Sequence, residues 1–303
     1  MNTENLIRGM VNPNFDRPGV DCRRLLKVEP NFFAALKSEV LEFVERESSS
    51  NMASANHPLK STGPYGNASV FSLYNHSGDP GDFRHNNSPF IGNKWFAKAQ
   101  QYPNIDRFLR VFPEKFNFRI NLLGNRSGLK PHQVYTIVPS PQRGQQVLLC
   151  RFHLPIVTND SSYVIFRGNY HHFEAGEIYF FNNATVHTAC NEGSGTRIHL
   201  VWDVVLTEEA FYNYFVGTPE ETLLTRAADP TVPVLKRQPF RSYRPAFANS
   251  FYEKTNKVGI PTALLAQPIN KLRGLFFKHS SLHRPSRMDI GVNALRSAVA
   301  SSG

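Results

Sequence analysis

Apolar and polar positions change their period twice along the chain, and each change predicts a different architecture. From Pro30, the apolar residues Phe32, Phe33, Leu36, Val40, Leu41, Phe43 and Val44 recur at helical spacing behind Asn31, and a Glu45-Arg46-Glu47-Ser48 run follows. This predicts an amphipathic helix capped by Asn31 and docked on a core. Residues 1–30, punctuated by Asn-Pro and Arg-Pro, read as an irregular lead-in, and residues 48–93, rich in Ser, Asn, Gly, Pro and His, read as a long loop region. A second helix is expected over Lys94–Phe112, broken or restarted by Pro103. After Pro113 the period shortens to two. Phe116–Leu122 alternates, Gly124–Gly128 turns, and short runs follow at His132–Val138, Gln146–Thr158, Tyr163–Arg167, Glu177–Phe181, Thr185–Cys190 and Thr196–Leu206. Seven or eight short strands in about ninety residues, separated by turn residues, predict an antiparallel barrel or jelly roll. Helix returns at Glu208–Val216 with Thr207 as its cap, and short apolar pieces at Leu264–Phe277 and Val292–Val299 follow.

The pattern is therefore mainly β with flanking helices. It divides into an N-terminal segment of loops and supporting helices (1–112), a β core (113–206) and a helical, basic C-terminal extension (207–303). At 303 residues and 41% hydrophobic content, the chain can bury a large interior. Three scattered cysteines (Cys22, Cys150, Cys190) make no disulfide framework and no C-x-x-C metal site, so a reducing, cytoplasmic compartment is expected. The first twenty residues lack the charge-then-apolar order of a secretory signal, and no apolar run is long enough for a membrane span. The formal net charge of +10 is concentrated beyond Thr231, where twelve Lys and Arg meet two acids, Glu253 and Asp289. Such a block suits an acidic partner or polyanion, or stands as a solvated tail.

Candidate chemistry sits inside the strands. Buried strands rarely spend histidine and arginine on one interior, because desolvating charge is costly unless something inside requires it. His187 lies between small residues, and Arg197 follows ten positions later in the next strand-like run. Arg151 and His153 stand two apart, on one strand face. His132 begins another run, so a jelly roll could return it to the mouth that holds His187. Two neutral imidazoles can ligate iron, zinc or copper with positions to spare, and a planar guanidinium can pair with a carboxylate. His171, His172 and His199 are read as structural or surface residues, with His199 on Arg197's face.

These pieces carry a resemblance. Leu129-Lys-Pro-His132, Arg151-Phe-His-Leu-Pro-Ile-Val-Thr-Asn159, Phe173-Glu-Ala-Gly-Glu-Ile-Tyr-Phe-Phe-Asn-Asn183, Thr185-Val-His187 and Arg197-Ile-His-Leu-Val-Trp-Asp203 span about a quarter of the chain. Together they resemble the aspartyl/asparaginyl β-hydroxylase-type family of Fe(II)/2-oxoglutarate-dependent dioxygenases, whose members include relatives that hydroxylate free proline. The resemblance implies a double-stranded β-helix, a jelly-roll and cupin-like core. It implies His132 and His187 as iron ligands, Arg151 and His153 beside 2-oxoglutarate, and Arg197 on the far carboxylate of that cosubstrate. The implied reaction is hydroxylation of an amino acid, or of an amino-acid residue in a peptide.

Two features depart from the pattern of the wider superfamily. The position two residues after His132, often an acidic ligand, is Val134, as expected of the β-hydroxylases proper, of a halogenase-like site or of an inactive relative. The interval from His132 to Arg151 is longer by about one hairpin, Pro139–Gln145, which leaves His153 as an alternative first ligand. A different class remains open: a non-catalytic, cupin-like binding or scaffold protein that uses its basic tail to hold a polyanion. A zinc hydrolase on the same histidines is weaker, for want of an acid beside them.

Overall fold

The computed structural model of the chain describes residues 20–49, 68–84, 89, 90, 92–129, 132, 134, 136–139 and 146–235. In chain order they form β1 (Cys22–Val28), α1 (Pro30–Ser49), β2 (Ala68–Asn75), β3 (Lys94–Trp95), a 3-10 turn at Ala99–Gln101 and α2 (Pro103–Arg110). Strands β4 (Lys115–Leu123), β5 (Ser127–Gly128), β6 (Ile137–Pro139), β7 (Gln146–Val157), β8 (Ser162–Phe166), β9 (Asn169–His171), β10 (Glu177–Phe181), β11 (His187–Asn191) and β12 (Arg197–Val205) follow. The series closes with α3 (Glu208–Phe211), a π turn at Tyr212–Val216 and β13 (Leu224–Arg226).

The strands make two antiparallel sheets that face each other as a double-stranded β-helix. The larger runs β13-β1-β10-β7-β12-β4-β2-β3, with β6 beside β7, and the smaller runs β5-β11-β8-β9. Alternation decides which side of the large sheet faces what. Along β12, Ile198, Leu200, Trp202 and Val204 join the main hydrophobic cluster, and along β7 Cys150, Phe152, Leu154 and Ile156 do the same. That outer face is covered by α1 through Leu36, Val40 and Phe43, and by α2 through Ile105, Phe108 and Leu109. The alternate residues are left to the cleft between the sheets.

Local signals explain the ends of the elements. Pro30 occupies the first turn of α1, and the Glu29 carboxylate accepts from the Phe32 amide at 2.7 Å, so Glu29 rather than Asn31 supplies the cap. Pro103 begins α2, whose first amides, Asn104 and Ile105, donate to Glu39 of α1 at 2.8 and 2.9 Å. Thr207 accepts from the Ala210 amide at 3.1 Å, the expected cap. Gly176, in the turn before β10, has φ +83°, and an added Cβ would stand 3.4 Å from the Phe33 ring of α1.

Three sequence expectations need correction. The lead-in contains β1, whose Arg23, Arg24 and Lys27 and its bulge between Arg24 and Leu26 obscure the alternation. The 48–93 region contains β2, and the 94–112 helix divides into β3, the 3-10 turn and α2 because Pro103 can only begin a helix. The sheets thus take β1, β2 and β3 from the segment ahead of position 113.

After β13 the chain crosses the open side of the sandwich. The Arg24 amide donates to Pro230 O at 3.0 Å, the Leu235 amide to Tyr170 O at 2.8 Å, and His171 Nδ1 lies 3.1 Å from Pro233 O. Residues 229–235 therefore join β1 of the large sheet to β9 of the small one, with Val232 on a cluster that includes Phe166 and Phe181. The basic segment from Lys236 onward, with the expected pieces 264–277 and 292–299, lies outside the described residues. The three cysteines are free and buried. Among the described residues no helix is long and apolar enough to cross a membrane.

Candidate active site

One cleft between the sheets gathers most of the buried polar chemistry. The large sheet contributes Arg119 and Asn121 from β4, Arg151 and His153 from β7, and Arg197, His199 and Val201 from β12. The opposite wall carries His132, His187, Thr188 and Ala189, with Leu129 beside them. Register stacks the large-sheet residues in rows: Val201 lies between Arg119 and His153, and His199 lies beside Asn121.

His132 and His187 are joined through their backbones. Each amide donates to the other's carbonyl at 2.9 Å, an isolated bridge that brings the imidazole centroids to 4.2 Å with a 60° tilt. The Asn182–Thr185 turn aims His187, since Thr185 Oγ1 donates to Asn182 O at 2.9 Å and Thr185 O accepts from His187 Nδ1 at 2.8 Å. With Nδ1 as the donor, Nε2 carries the lone pair, the arrangement that a backbone carbonyl behind a metal-binding histidine imposes on the ring. Burial, then the neighbouring His132, hold the His187 pKa well below its ordinary value, so the ring is neutral. Two imidazole rings at this separation fit neighbouring ligands of one ion, with metal–nitrogen bonds of about 2 Å. Among the described residues no third His, Cys, Asp or Glu completes a metal-binding group with them.

Across the cleft lies a cationic floor. Arg197 Nε donates to His199 Nε2 at 2.8 Å, and its Nη2 lies 2.8 Å from His199 Nδ1. Burial depresses the guanidinium to about 10, which leaves it charged at neutral pH. His199 and His153 approach through their Nδ1 atoms at 3.4 Å, and His153 stacks on Phe181 with centroids 4.4 Å apart. Burial, then the charge of Arg197, push both imidazoles well below their usual pKa. His153 Nε2 is buried without a hydrogen-bond partner among the described residues. At the far end Arg151 donates Nε to Asp203 Oδ1 at 2.7 Å and Nη2 to Oδ2 at 2.9 Å, and Asn117 donates to Oδ2 at 2.7 Å. Asn117 takes φ +50° at a register shift in β4, which turns its amide toward Asp203. Three guanidinia against one carboxylate leave the floor with two excess positive charges.

The structure thus places His132, His187, Arg151, His153 and Arg197 around one cleft. His199, read from sequence as structural or surface, belongs to the site, since the period of two that puts Arg197 inward puts it inward as well. The sequence reading also missed Asp203, Arg119 and Asn117. Asp203 lies six residues after Arg197 on the same inward series, and Arg119 is the polar position of the Phe-Arg-Ile alternation, signals visible only once the inward face is known.

A model of the aspartyl/asparaginyl beta-hydroxylase family matches residues 33–206, more than half of the chain. No curated protein matches the sequence. Among solved structures, a Pseudomonas putida prolyl-4-hydroxylase is 12% identical and aligns over 60% of this chain and 94% of its own, with a TM-score of 0.32. The viral collagen prolyl hydroxylase of Paramecium Bursaria Chlorella virus-1 is 10% identical over 60% and 96%, with a TM-score of 0.31. The epimerase SnoN from nogalamycin biosynthesis is 14% identical over 71% and 95%, with a TM-score of 0.35.

Proposed function

The chain belongs to the aspartyl/asparaginyl β-hydroxylase family, and from that premise we propose that it is an Fe(II)- and 2-oxoglutarate-dependent dioxygenase. Its substrate is an amino acid or an amino-acid residue in a peptide. The observation that carries this reading is the pairing of two bridge-locked imidazoles with a floor of excess positive charge across one cleft. Neutral nitrogen ligands suit a divalent cation, and uncompensated guanidinia suit a dicarboxylate.

His132 and His187 would hold the iron. Arg197, steadied by His199, would receive the far carboxylate of 2-oxoglutarate, while Arg151 and His153 lie beside the cosubstrate, with His153 Nε2 in need of a partner. Bound iron and 2-oxoglutarate supply the oxidising chemistry. This chain supplies orientation and a cleft walled by Phe181, Val201 and Leu123 that limits water. Arg151 is fixed by Asp203 before any ligand arrives, so its position costs no reorganisation on binding. With Val134 two residues after His132, the protein ligands are two imidazoles.

Anaerobic addition of Fe(II) and 2-oxoglutarate to the folded chain is expected to give the weak visible charge-transfer band of a chelate. Arg197→Ala should weaken 2-oxoglutarate binding by about tenfold or more, 1.4 kcal/mol. Folded protein without a band refutes the proposal.

A further inference from the structure

His171 is an imidazole that the cleft chemistry leaves out. It stands on β9 opposite Val164 of β8, so both side chains face into the sandwich, where Val164 joins an apolar cluster with Phe166 and Phe181. Its ring lies 5.8 Å from that of Phe166. Nδ1 lies 3.1 Å from Pro233 O, and because a carbonyl can only accept, Nδ1 carries the proton. Nε2 keeps its lone pair, buried and without a hydrogen-bond partner among the described residues. A neutral ring tolerates this place, whereas a protonated one would press a second, charged N–H against hydrocarbon. Burial accordingly holds the His171 pKa below its ordinary value, outweighing the carbonyls of Pro233 and Val232, which favour the charged ring. Among the described residues no countercharge faces it. β8 presents Val164 and Phe166, and burial keeps the Cys22 thiol of β1 and the Tyr179 phenol of β10 protonated. The Asp229 carboxylate is taken by the Thr231 amide at 2.8 Å, and the adjacent His172 turns to Ser162 O at 2.9 Å, with Glu174 3.7 Å from its Nε2.

Of the two walls that enclose this ring, the strap of residues 229–235 is the one that can give. β9 is paired with β8 along its whole length, while the strap is tied near its ends by the Arg24 amide on Pro230 O and the Leu235 amide on Tyr170 O, with Arg24 Nε on Asp229 O at 2.9 Å. His171 grips it between those ties. Opening there can stay local, because β13, just ahead of the strap, has its own ladder to β1. Lifting the strap takes Val232 off the cluster whose Phe181 ring borders both cleft imidazoles, His153 at 4.4 Å and His187 at 4.7 Å between centroids.

We infer that His171 is an acid-released latch on the 229–235 strap: the neutral ring holds the strap closed across the open side of the sandwich, and protonation of Nε2 lifts it. The latch needs no assignment of the ion or cosubstrate in the cleft. Its closed-state pKa is depressed, so its hold is complete above about pH 6.5, the free imidazole value, and is lost as pH falls from there toward the closed-state value. Three amides of the full chain report this by hydrogen exchange, read by NMR and corrected for the intrinsic pH dependence of exchange. Those of Arg24 and Leu235 close the strap, and that of Ala227, bonded to Leu25 O at 3.0 Å, belongs to the ladder ahead of it. Between pH 7.5 and 5.5, protection at Arg24 and Leu235 should fall by about threefold to tenfold, while Ala227 holds within about twofold. His171→Asn keeps a donor for Pro233 O but cannot take a charge, so it should keep the protection and lose the pH dependence. His171→Phe should lose both. A smaller fall in the native chain, an equal fall at Ala227, or an unchanged pH dependence in His171→Asn overturns the latch. If neither variant folds, titration of the His171 ring in the native chain decides, since a midpoint at or above about 6.5 leaves the closed strap nothing to gain from a neutral ring.

Discussion

Asp203 and Arg151 are neighbours twice, as register partners across β12 and β7 and as a bidentate side-chain pair in a site where each is almost fully buried. Asp203→Asn leaves the guanidinium buried without its carboxylate and is expected to cost about 3–5 kcal/mol in chemical unfolding. Acid should act on the same pair. Burial raises the Asp203 pKa, but the Arg151 charge and hydrogen bonds, with Arg119 and Asn117 behind them, outweigh it and hold the carboxyl below its ordinary value. The native pKa lies under the unfolded one, so its stabilisation is complete above pH about 3.9 and is lost as pH falls below that toward the native value. A melting series down to pH 2 should therefore fall more steeply for the native chain than for Asp203→Asn. Sequence alone made His187 and Arg197 conspicuous, because a lone imidazole and a lone guanidinium stand out in apolar runs. Asp203 stands within an apolar run as well, but its partner Arg151 lies fifty-two residues earlier, so its role shows only once the strands are paired.

Individual elements hold their places through contacts with partners far away in sequence. Glu39, in the middle of α1, accepts from the first two amides of α2 and from the Asn104 side chain at 2.6 Å, so one helix caps the next. Glu39→Ala should cost about 1–2 kcal/mol, measured as a lowered denaturation midpoint at unchanged slope. Phe43 packs edge-on against Phe71, Phe96 and Tyr102, with centroids 5.4–5.7 Å apart, and Phe43→Ala should cost about 3–5 kcal/mol by the same measurement. Strands β4, β7, β8, β10 and β12 are legible to within a residue or two at each end, because β4 alternates, the others are short apolar-rich runs, and turn residues bracket them. Strand β2 was not, since Ser69, Ser72 and Asn75 give it the texture of a loop; Ser72 and Asn75 are buried all the same. Strand β9, three residues long, is too short to show a period.

At the scale of the molecule, the two sheets are tied together by residues 229–235 as well as by their shared interior. Two shortened chains test this directly. One ending at Leu235 keeps the backbone bonds to Arg24 and Tyr170 and the Val232 contact; one ending at Ala228 loses them. The second should be about 2 kcal/mol less stable, a melting temperature lower by roughly 4–8 °C. No local pattern could have announced this tie, since pairing between distant segments leaves no periodic trace in either one. The same holds for β1, whose partners β10 and β13 lie about 160 and 200 residues further along. At a synthesis rate of about 5–20 residues per second, the first strand waits on the order of ten to forty seconds for the last strand it pairs with. Until β10 has been made, the nascent chain presents Leu25, Leu26 and Val28 with no partner strand to receive them, and one edge of β1 stays open until β13 follows. The large sheet can therefore be completed only after residue 226 has been made, however early its first strand emerges.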